Sequence, residues 1–197
     1  MWNREQHRYR IGRKHRANEV PLFWAHNVRA NEKCLPQDGG GDIGFAKIPK
    51  TSTAILHSDA IILQRTSNRR QKRRLIGAMI RHAGVIGGRG FVTENHTIVI
   101  VPDPAKSQQL PIRMVCRLLN TMAVDARFRR MSGSVSVSTK ALRDLPLPTA
   151  ADVRRFFKAG GGSDDQAADA AYAASMGRPR TSTKKKAGKA PKRPRRS

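Results

Sequence analysis

The chain has 197 residues and combines 39 lysines and arginines with 14 aspartates and glutamates, a formal net charge of +25. It has no run of the ~18–20 apolar residues that a membrane-spanning helix needs, and its basic start lacks the apolar segment of a secretion signal. Cys34 and Cys116 fit neither a disulfide framework nor a cysteine metal site. A cytoplasmic protein with a polyanionic partner is predicted, although a charge that only solubilises the chain stays open.

Composition divides the chain into four segments. Residues 1–19 are basic and are predicted to form a mobile arm, and residues 20–158 are predicted to form the domain. Residues 159–176 are predicted to be a linker followed by an alanine-rich, poorly anchored helix. Residues 177–197 are rich in Lys, Arg and Pro and are predicted to be a disordered tail that binds polyanions without selectivity. Without the ten cations of this tail, the rest of the chain still carries +15.

Short apolar runs, several of them rich in β-branched residues, predict the strands of a small antiparallel sheet. In chain order these runs cover residues 21–28, 59–66, 73–80 and 96–101. For residues 73–80 a helix stays open, because eight residues do not settle the period of the pattern.

One helix is predicted over residues 111–130, because apolar residues recur there at three- and four-residue spacing. A proline suits its first turn, and a glycine follows its Arg-rich last turn. A short strand at residues 134–137 and a brief helix capped by Ser138 or Thr139 are predicted next. The expected fold class is α+β, with one well-supported helix.

The densest charge of the predicted domain lies in residues 65–74, where six of ten residues are cationic and the others carry hydroxyl or amide groups. This segment connects two predicted strands and is therefore expected to project as a loop. Guanidinium groups match phosphate oxygens and the guanine edge, and the neutral groups complete contacts to backbone or bases. The cluster indicates a DNA contact, and the alternative is a solvated hairpin tip.

Catalytic motifs are missing from the sequence. The glycine-rich residues 84–90 lack the Gly-Lys-Ser/Thr ending of a phosphate-binding loop and precede a predicted strand. The histidines have no metal-binding spacing, and Glu94-Asn95-His96 is more typical of a hydrogen-bonded start of a strand than of an acid–base site. No catalytic residue, metal site or cofactor site is predicted in this chain.

Four segments, in this order, resemble a known domain: PLFWAHNV, ILQRTSNRRQKRRLIGAMI, FVTENHTIVI and RLLNTMAVDARFRRMSGSVSVSTKALRDLPLP. They are similar to the C-terminal target-recognition domain of TaqI-like and fused type IIG restriction–modification adenine methyltransferases. In that family a strand ending in Arg-Thr or Arg-Ser, a strand beginning Arg-Arg-Leu, a Glu-Asn-His strand and a Leu-Leu-Asn-Ser helix follow one another. A Leu-x-x-Leu-Pro-x-Pro ending comes last. The resemblance covers roughly residues 20–150.

The resemblance implies an α+β domain that clamps a DNA duplex opposite a catalytic domain. The family's methylating half has an Asn/Asp-Pro-Pro-Tyr/Phe loop for the flipped adenine and a glycine-rich site for S-adenosylmethionine. Neither is present here, since Asp103-Pro104 is followed by Ala105-Lys106. Adenine-specific methylation and S-adenosylmethionine are therefore expected on a partner catalytic subunit or domain.

Matched by position, one set of DNA-contact residues comes from the cationic cluster: Arg65, Ser67, Arg69, Arg70, Lys72, Arg73 and Arg74. A second set comes from flanking segments: His26, Asn27, Ser132, Ser134 and Ser136. Asn95 and His96 match a family motif and are predicted to be structural.

The predicted function is recognition of a duplex DNA sequence for the adenine-N6 methyltransferase of a restriction–modification system, in a bacterial cytoplasm at the nucleoid. The chain is either a separate specificity subunit or a fragment of one, and a fragment that folds poorly alone stays open. The alternative is a basic structural RNA-binding or ribosome-associated protein. Aromatic residues make up 5% of the chain, which weighs against base-stacking RNA platforms but not against backbone binding.

Overall fold

The computed structural model describes residues 9–12, 14, 16–30, 43–67, 71–85, 88–159 and 162–177. Within these residues the predicted α+β class is confirmed. The sequence predicts one sheet and one well-supported helix, whereas the described residues form two sheets and five α-helices. Residues 178–197, which hold nearly all of the predicted tail, lie outside the described residues.

The strands are β1 (Tyr9–Gly12), β2 (Glu19–Phe23), β3 (Ile43–Lys47), β4 (Ala60–Gln64), β5 (Gly77–Ile80), β6 (Val92–Thr93) and β7 (Thr97–Ile100). The α-helices are α1 (Ile112–Leu119), α2 (Met122–Met131), α3 (Thr139–Arg143), α4 (Ala150–Lys158) and α5 (Asp164–Met176). Short 3-10 helices cover Ala25–Asn27 and His82–Gly84.

The first sheet has the strand order β1-β3-β2-β6. β3 pairs antiparallel with β1 and β2, as the predicted antiparallel sheet requires, but β2 and β6 run parallel. A parallel pair needs a long crossover, and β3 of the same sheet and β4 and β5 of the second sheet lie between these two strands in the chain. β1 belongs to residues 1–19, so part of the predicted mobile arm is a strand, and Arg10 pairs with Glu19 of β2 at 2.5 Å.

The second sheet has the order β5-β4-β7 and is antiparallel throughout. Its central strand β4 is buried on both faces, because Ile61 and Leu63 pack under the helices while Ala60 and Ile62 pack against Phe23 of β2. A strand covered on both sides needs a continuous apolar run. The run at residues 60–63 was predictable as a strand for this reason.

Two predicted strands have different bounds in the structure. The predicted strand at 21–28 ends at Phe23, because the Asn27 side-chain oxygen accepts the Trp24 N–H at 2.7 Å and turns the chain into a 3-10 helix. The predicted element at 73–80 is a strand and not a helix, and it begins only at Gly77.

The helix predicted over residues 111–130 is two helices, α1 and α2, so the prediction of one helix is wrong. The break is at Thr121, whose backbone is extended (φ −86°, ψ 151°) and whose hydroxyl caps α2 by accepting the Val124 N–H at 3.4 Å. The apolar spacing continues across the break because both helices pack against one core. Spacing alone therefore did not reveal it.

After α2 the structure differs from the prediction at residues 134–137 and at α4, a helix that was not predicted. Ser138 caps α3, as predicted, by accepting the Ala141 N–H at 3.1 Å. The predicted strand at 134–137 is reduced to an isolated bridge between Ser136 and Thr66.

The alanine-rich segment is packed into the core, so the prediction that it is poorly anchored is wrong. Helix α5 begins with a capping box made by Ser163 and Gln166, and it buries Ala168 and Tyr172 among core residues of the other helices. The Tyr172 hydroxyl donates to the Pro146 carbonyl at 2.9 Å, and Arg127 lies 3.4 Å from the centre of its ring. The core therefore extends past residue 158.

Candidate nucleic-acid interface

Three predicted contact segments meet at the end of β4. The Gln64 amide donates to the carbonyls of Ala25 and Val28, at 3.2 and 2.9 Å, and so holds the 3-10 helix that carries His26. One residue further, the Arg65 carbonyl accepts the Val137 N–H at 2.7 Å, which brings in the serine-rich residues 132–138. These backbone positions are set by hydrogen bonds to a central strand, so the loops rest on a rigid base.

Around this point lies a group of positive side chains that we call the cationic surface: Arg65, Lys72, Arg73, Arg74 and Arg129. Arg65, Lys72 and Arg129 are exposed, and Arg73 and Arg74 are half-buried. Arg69 and Arg70, which the sequence also predicts as contacts, lie outside the described residues, as does Asn68.

Asp125 of α2 anchors one end of this surface. Its carboxylate is 1% exposed and accepts the backbone N–H groups of Arg74 (2.5 Å) and Leu75 (2.8 Å) through one oxygen. The other oxygen accepts from the Arg129 guanidinium at 2.6 Å, and Arg129 also donates to the Lys72 carbonyl at 2.7 Å. A single buried acid thus fixes the path of the chain after the loop, and the structure adds Arg129 to the surface.

Arg73 and Arg74 are turned toward their own protein. Arg73 donates to the Asn120 carbonyl and to the Met122 sulfur, and it lies 4.0 Å from the Asp165 carboxylate. Arg74 donates to the Ser67 hydroxyl at 2.8 Å. These two arginines therefore combine a positive charge with a structural role. Arg65 and Lys72 are exposed, and the Arg65 guanidinium donates to the Asn95 carbonyl at 3.3 Å.

The flanking residues divide in the same way. Asn27 is buried, and its side-chain oxygen accepts the Trp24 backbone N–H. His26 is exposed and stacks on the Trp24 ring, with the ring centroids 6.2 Å apart. Ser67 is buried, with its hydroxyl donating to the Val135 carbonyl at 3.2 Å.

The serine-rich loop supplies hydroxyl groups beside Arg65. Ser134 is exposed, and Ser132 and Ser136 are half-buried. The Ser136 hydroxyl lies 3.4 Å from the Arg65 carbonyl, and the Ser134 hydroxyl accepts the Ser136 N–H at 3.0 Å. Exposed hydroxyl groups on a loop that is bonded to the backbone of a cationic residue are suited to phosphate and base-edge contacts.

Sequence reasoning missed Gln64, Asp125 and Arg129. Asp125 and Arg129 have the i, i+4 spacing of a helical ion pair, which is a detectable signal. Nothing in the sequence pairs Asp125 with residues 74–75, because that contact spans about fifty positions of the chain.

Two buried side chains among the described residues have raised pKa values. Burial raises the pKa of the Cys116 thiol to about 11, and burial likewise raises the pKa of the Tyr172 hydroxyl to about 12. In the part of the chain that the structure covers, no three His, Cys, Asp or Glu side chains are grouped so that they could hold a metal ion. No helix among the described residues has the length and apolar character to cross a membrane.

No family model, no curated protein and no solved structure matches the chain.

Proposed function

We propose that this protein binds duplex DNA through the cationic surface and recognises a target sequence for an adenine-N6 methyltransferase of a restriction–modification system. The observation that supports the proposal is the junction at the end of β4, where the Arg65 backbone is bonded to the serine loop and Gln64 is bonded to the segment of the exposed His26. The exposed Lys72 belongs to the same cationic surface. Phosphate contacts made by the cations position a protein on the duplex, and loop side chains read base edges.

The local charge favours this surface over the rest of the protein. Residues 60–93 and 126–143 contain no Asp or Glu at all, so the cations there face no acid of their own segments. The nearby carboxylate of Asp125 is buried and already used by three donors. The surface therefore presents net positive charge to solvent.

The methylation chemistry is assigned to a partner. Base methylation inside a duplex requires extrusion of the target base into a catalytic pocket. We assign that pocket and the S-adenosylmethionine to a catalytic subunit or domain, in a bacterial cytoplasm where the protein lies on the nucleoid.

The test is a titration of duplex DNA with the full chain, in which fluorescence anisotropy measures binding. Arg65→Ala/Lys72→Ala removes two exposed charges of the surface, and we expect the duplex to bind about tenfold or more weakly. Lys47→Ala/Lys158→Ala removes two exposed charges elsewhere and is the matched control, expected to lose less than about threefold. Equal losses in both double variants would contradict a DNA-binding role for this surface.

Sequence recognition is tested separately by selection from a pool of random duplexes. Enrichment of one short sequence, lost in Arg65→Ala/Lys72→Ala, is expected. A pool that stays random would overturn target recognition. A structured RNA that binds more tightly than duplex DNA would favour the alternative of a basic RNA-binding protein.

A further inference from the structure

A cavity lies against the first sheet and shares no residue with the cationic surface. It has a volume of about 310 Å³ and lies between the start of β2, residues 48–57 and Arg89. Its floor is apolar, formed by Val20, Ile48 and Ile55, which are 3–7% exposed and belong to one core cluster.

The rim of this cavity is positively charged. Lys50 and Arg89 both line it and are exposed, and neither forms an ion pair with any residue that the structure describes. The acid that lines it, Glu19, is held by Arg10 through two hydrogen bonds of 3.0 and 2.5 Å and by the Arg16 N–H at 3.1 Å. Because Arg10 neutralises that carboxylate, the two cations of the rim stay uncompensated.

Arg89 is held at the rim by the backbone. Leu56 and Phe91 exchange two backbone hydrogen bonds of 2.8 and 3.1 Å, which bring residues 88–91 against the floor segment. Gly90, between Arg89 and Phe91 in the chain, has φ +81°, and a Cβ there would lie 2.5 Å from the Leu56 carbonyl oxygen. Only glycine permits this close approach, so the position of Arg89 is built into the fold.

Two further polar groups complete the lining. Asn18, in a left-handed conformation (φ 66°), and His57 are both exposed at the cavity. An amide and an imidazole supply donors and acceptors in addition to charge. The cavity thus offers an apolar surface, two cations and a few further hydrogen-bonding groups, which is the pattern of a small-ligand site.

We propose that this cavity binds a nucleoside monophosphate, with the flat base on Val20, Ile48 and Ile55, the phosphate on Lys50 and Arg89, and the base or sugar edge on Asn18 and His57. The arginine fork and the lysine ammonium are both suited to a phosphate. An inorganic phosphate leaves the apolar floor uncovered, and a nucleoside leaves the cations unpaired, so the full ligand is required for tight binding.

The test is titration of the full chain with adenosine 5′-monophosphate. Calorimetry measures the affinity, and changes in amide chemical shifts locate the site. We expect saturable binding with shifts at residues 18–20, 48–57 and 89–91, and binding of inorganic phosphate and adenosine at least about tenfold weaker. Lys50→Ala/Arg89→Ala is expected to weaken nucleotide binding about tenfold or more. The neighbouring variant Lys47→Ala, which removes an exposed charge outside the cavity, is the control and is expected to bind as the wild type does.

The same samples separate this site from the cationic surface. Lys50→Ala/Arg89→Ala is expected to lose nucleotide binding, whereas Arg65→Ala/Lys72→Ala is expected to keep it. The proposal is overturned if the nucleotide does not bind, if its binding is unchanged in Lys50→Ala/Arg89→Ala, or if the shifts map to residues 65–74. If Arg65→Ala/Lys72→Ala loses duplex binding but keeps nucleotide binding, the proposed nucleotide site is supported.

Discussion

At the scale of single residues, a substitution of Asp125 distinguishes the effect of surface charge on DNA binding from the effect of chain position. It is buried, it accepts three hydrogen bonds, and it lies beneath a surface whose proposed ligand is an anion. Removal of a negative charge here makes the surface more positive, and simple electrostatics predicts tighter DNA binding. Removal also releases the chain after residue 73, and geometry predicts weaker binding.

We expect geometry to dominate in Asp125→Asn. An amide oxygen does not replace a carboxylate that serves two backbone donors and Arg129, so the free energy of unfolding falls by about 2–4 kcal/mol. Urea denaturation measures this loss, and anisotropy at a temperature where the variant is folded measures a weaker duplex affinity. Asp103→Asn removes an exposed carboxylate of equal charge and is the control. An affinity that rises equally in both variants would contradict the positioning role.

Glu19 gives the fold a dependence on pH. The Arg10 guanidinium holds the pKa of the Glu19 carboxyl below its ordinary value. A lowered pKa stabilises the folded state above the pKa of the unfolded chain, about 4.3, and this stability is lost as the pH falls through the folded-state pKa. Denaturation midpoints of wild type and Glu19→Gln are therefore expected to converge as the pH decreases from 6 toward about 3. Parallel curves would show that the pair contributes nothing.

At the scale of elements, the accuracy of prediction depends on where the stabilising partner lies in the chain. β4 was predictable because its burial on both faces is visible as four apolar residues in a row, and α3 because its cap is local. The break at Thr121 was not, because polar Asn120 and Thr121 are compatible with a continuous helix. What fixes them is the Asn120 amide, which bonds the N–H and the carbonyl of Gly77 at 2.9 and 2.8 Å from 43 residues away.

Helix α5 is the element whose importance the sequence underestimates, since alanine buries little surface and gives a weak pattern. Truncation after Gly177 is expected to leave the thermal midpoint unchanged. Truncation after Ala159 removes Tyr172 and Ala168 from the core and is expected to cost at least about 3 kcal/mol. Circular dichroism on heating measures both, and equal midpoints would show that α5 is dispensable.

At the scale of the whole molecule, the candidate site was predicted in part. The charge of residues 65–74 and the serine loop are local features of the sequence. Their meeting at Arg65 was not predicted, because the contact between Ser136 and Arg65 spans 71 positions of the chain. Which arginines extend into solvent and which pack inward was not predictable, because Asn120, Met122 and Asp165, the partners of Arg73, come from elements that lie far along the chain.

Because the net charge is large, the salt dependence of duplex affinity shows which cations bind DNA. If six to ten phosphates are contacted, duplex affinity is expected to fall by about 10³–10⁵-fold between 50 and 200 mM salt. The chain that ends at Gly177 lacks the ten cations of the tail, so its salt dependence is expected to be shallower. Arg65→Ala/Lys72→Ala introduced into this shorter chain is expected to reduce the slope further, because the remaining contacts come from the folded surface. A slope unchanged by that double variant would assign DNA binding to cations outside residues 65–74.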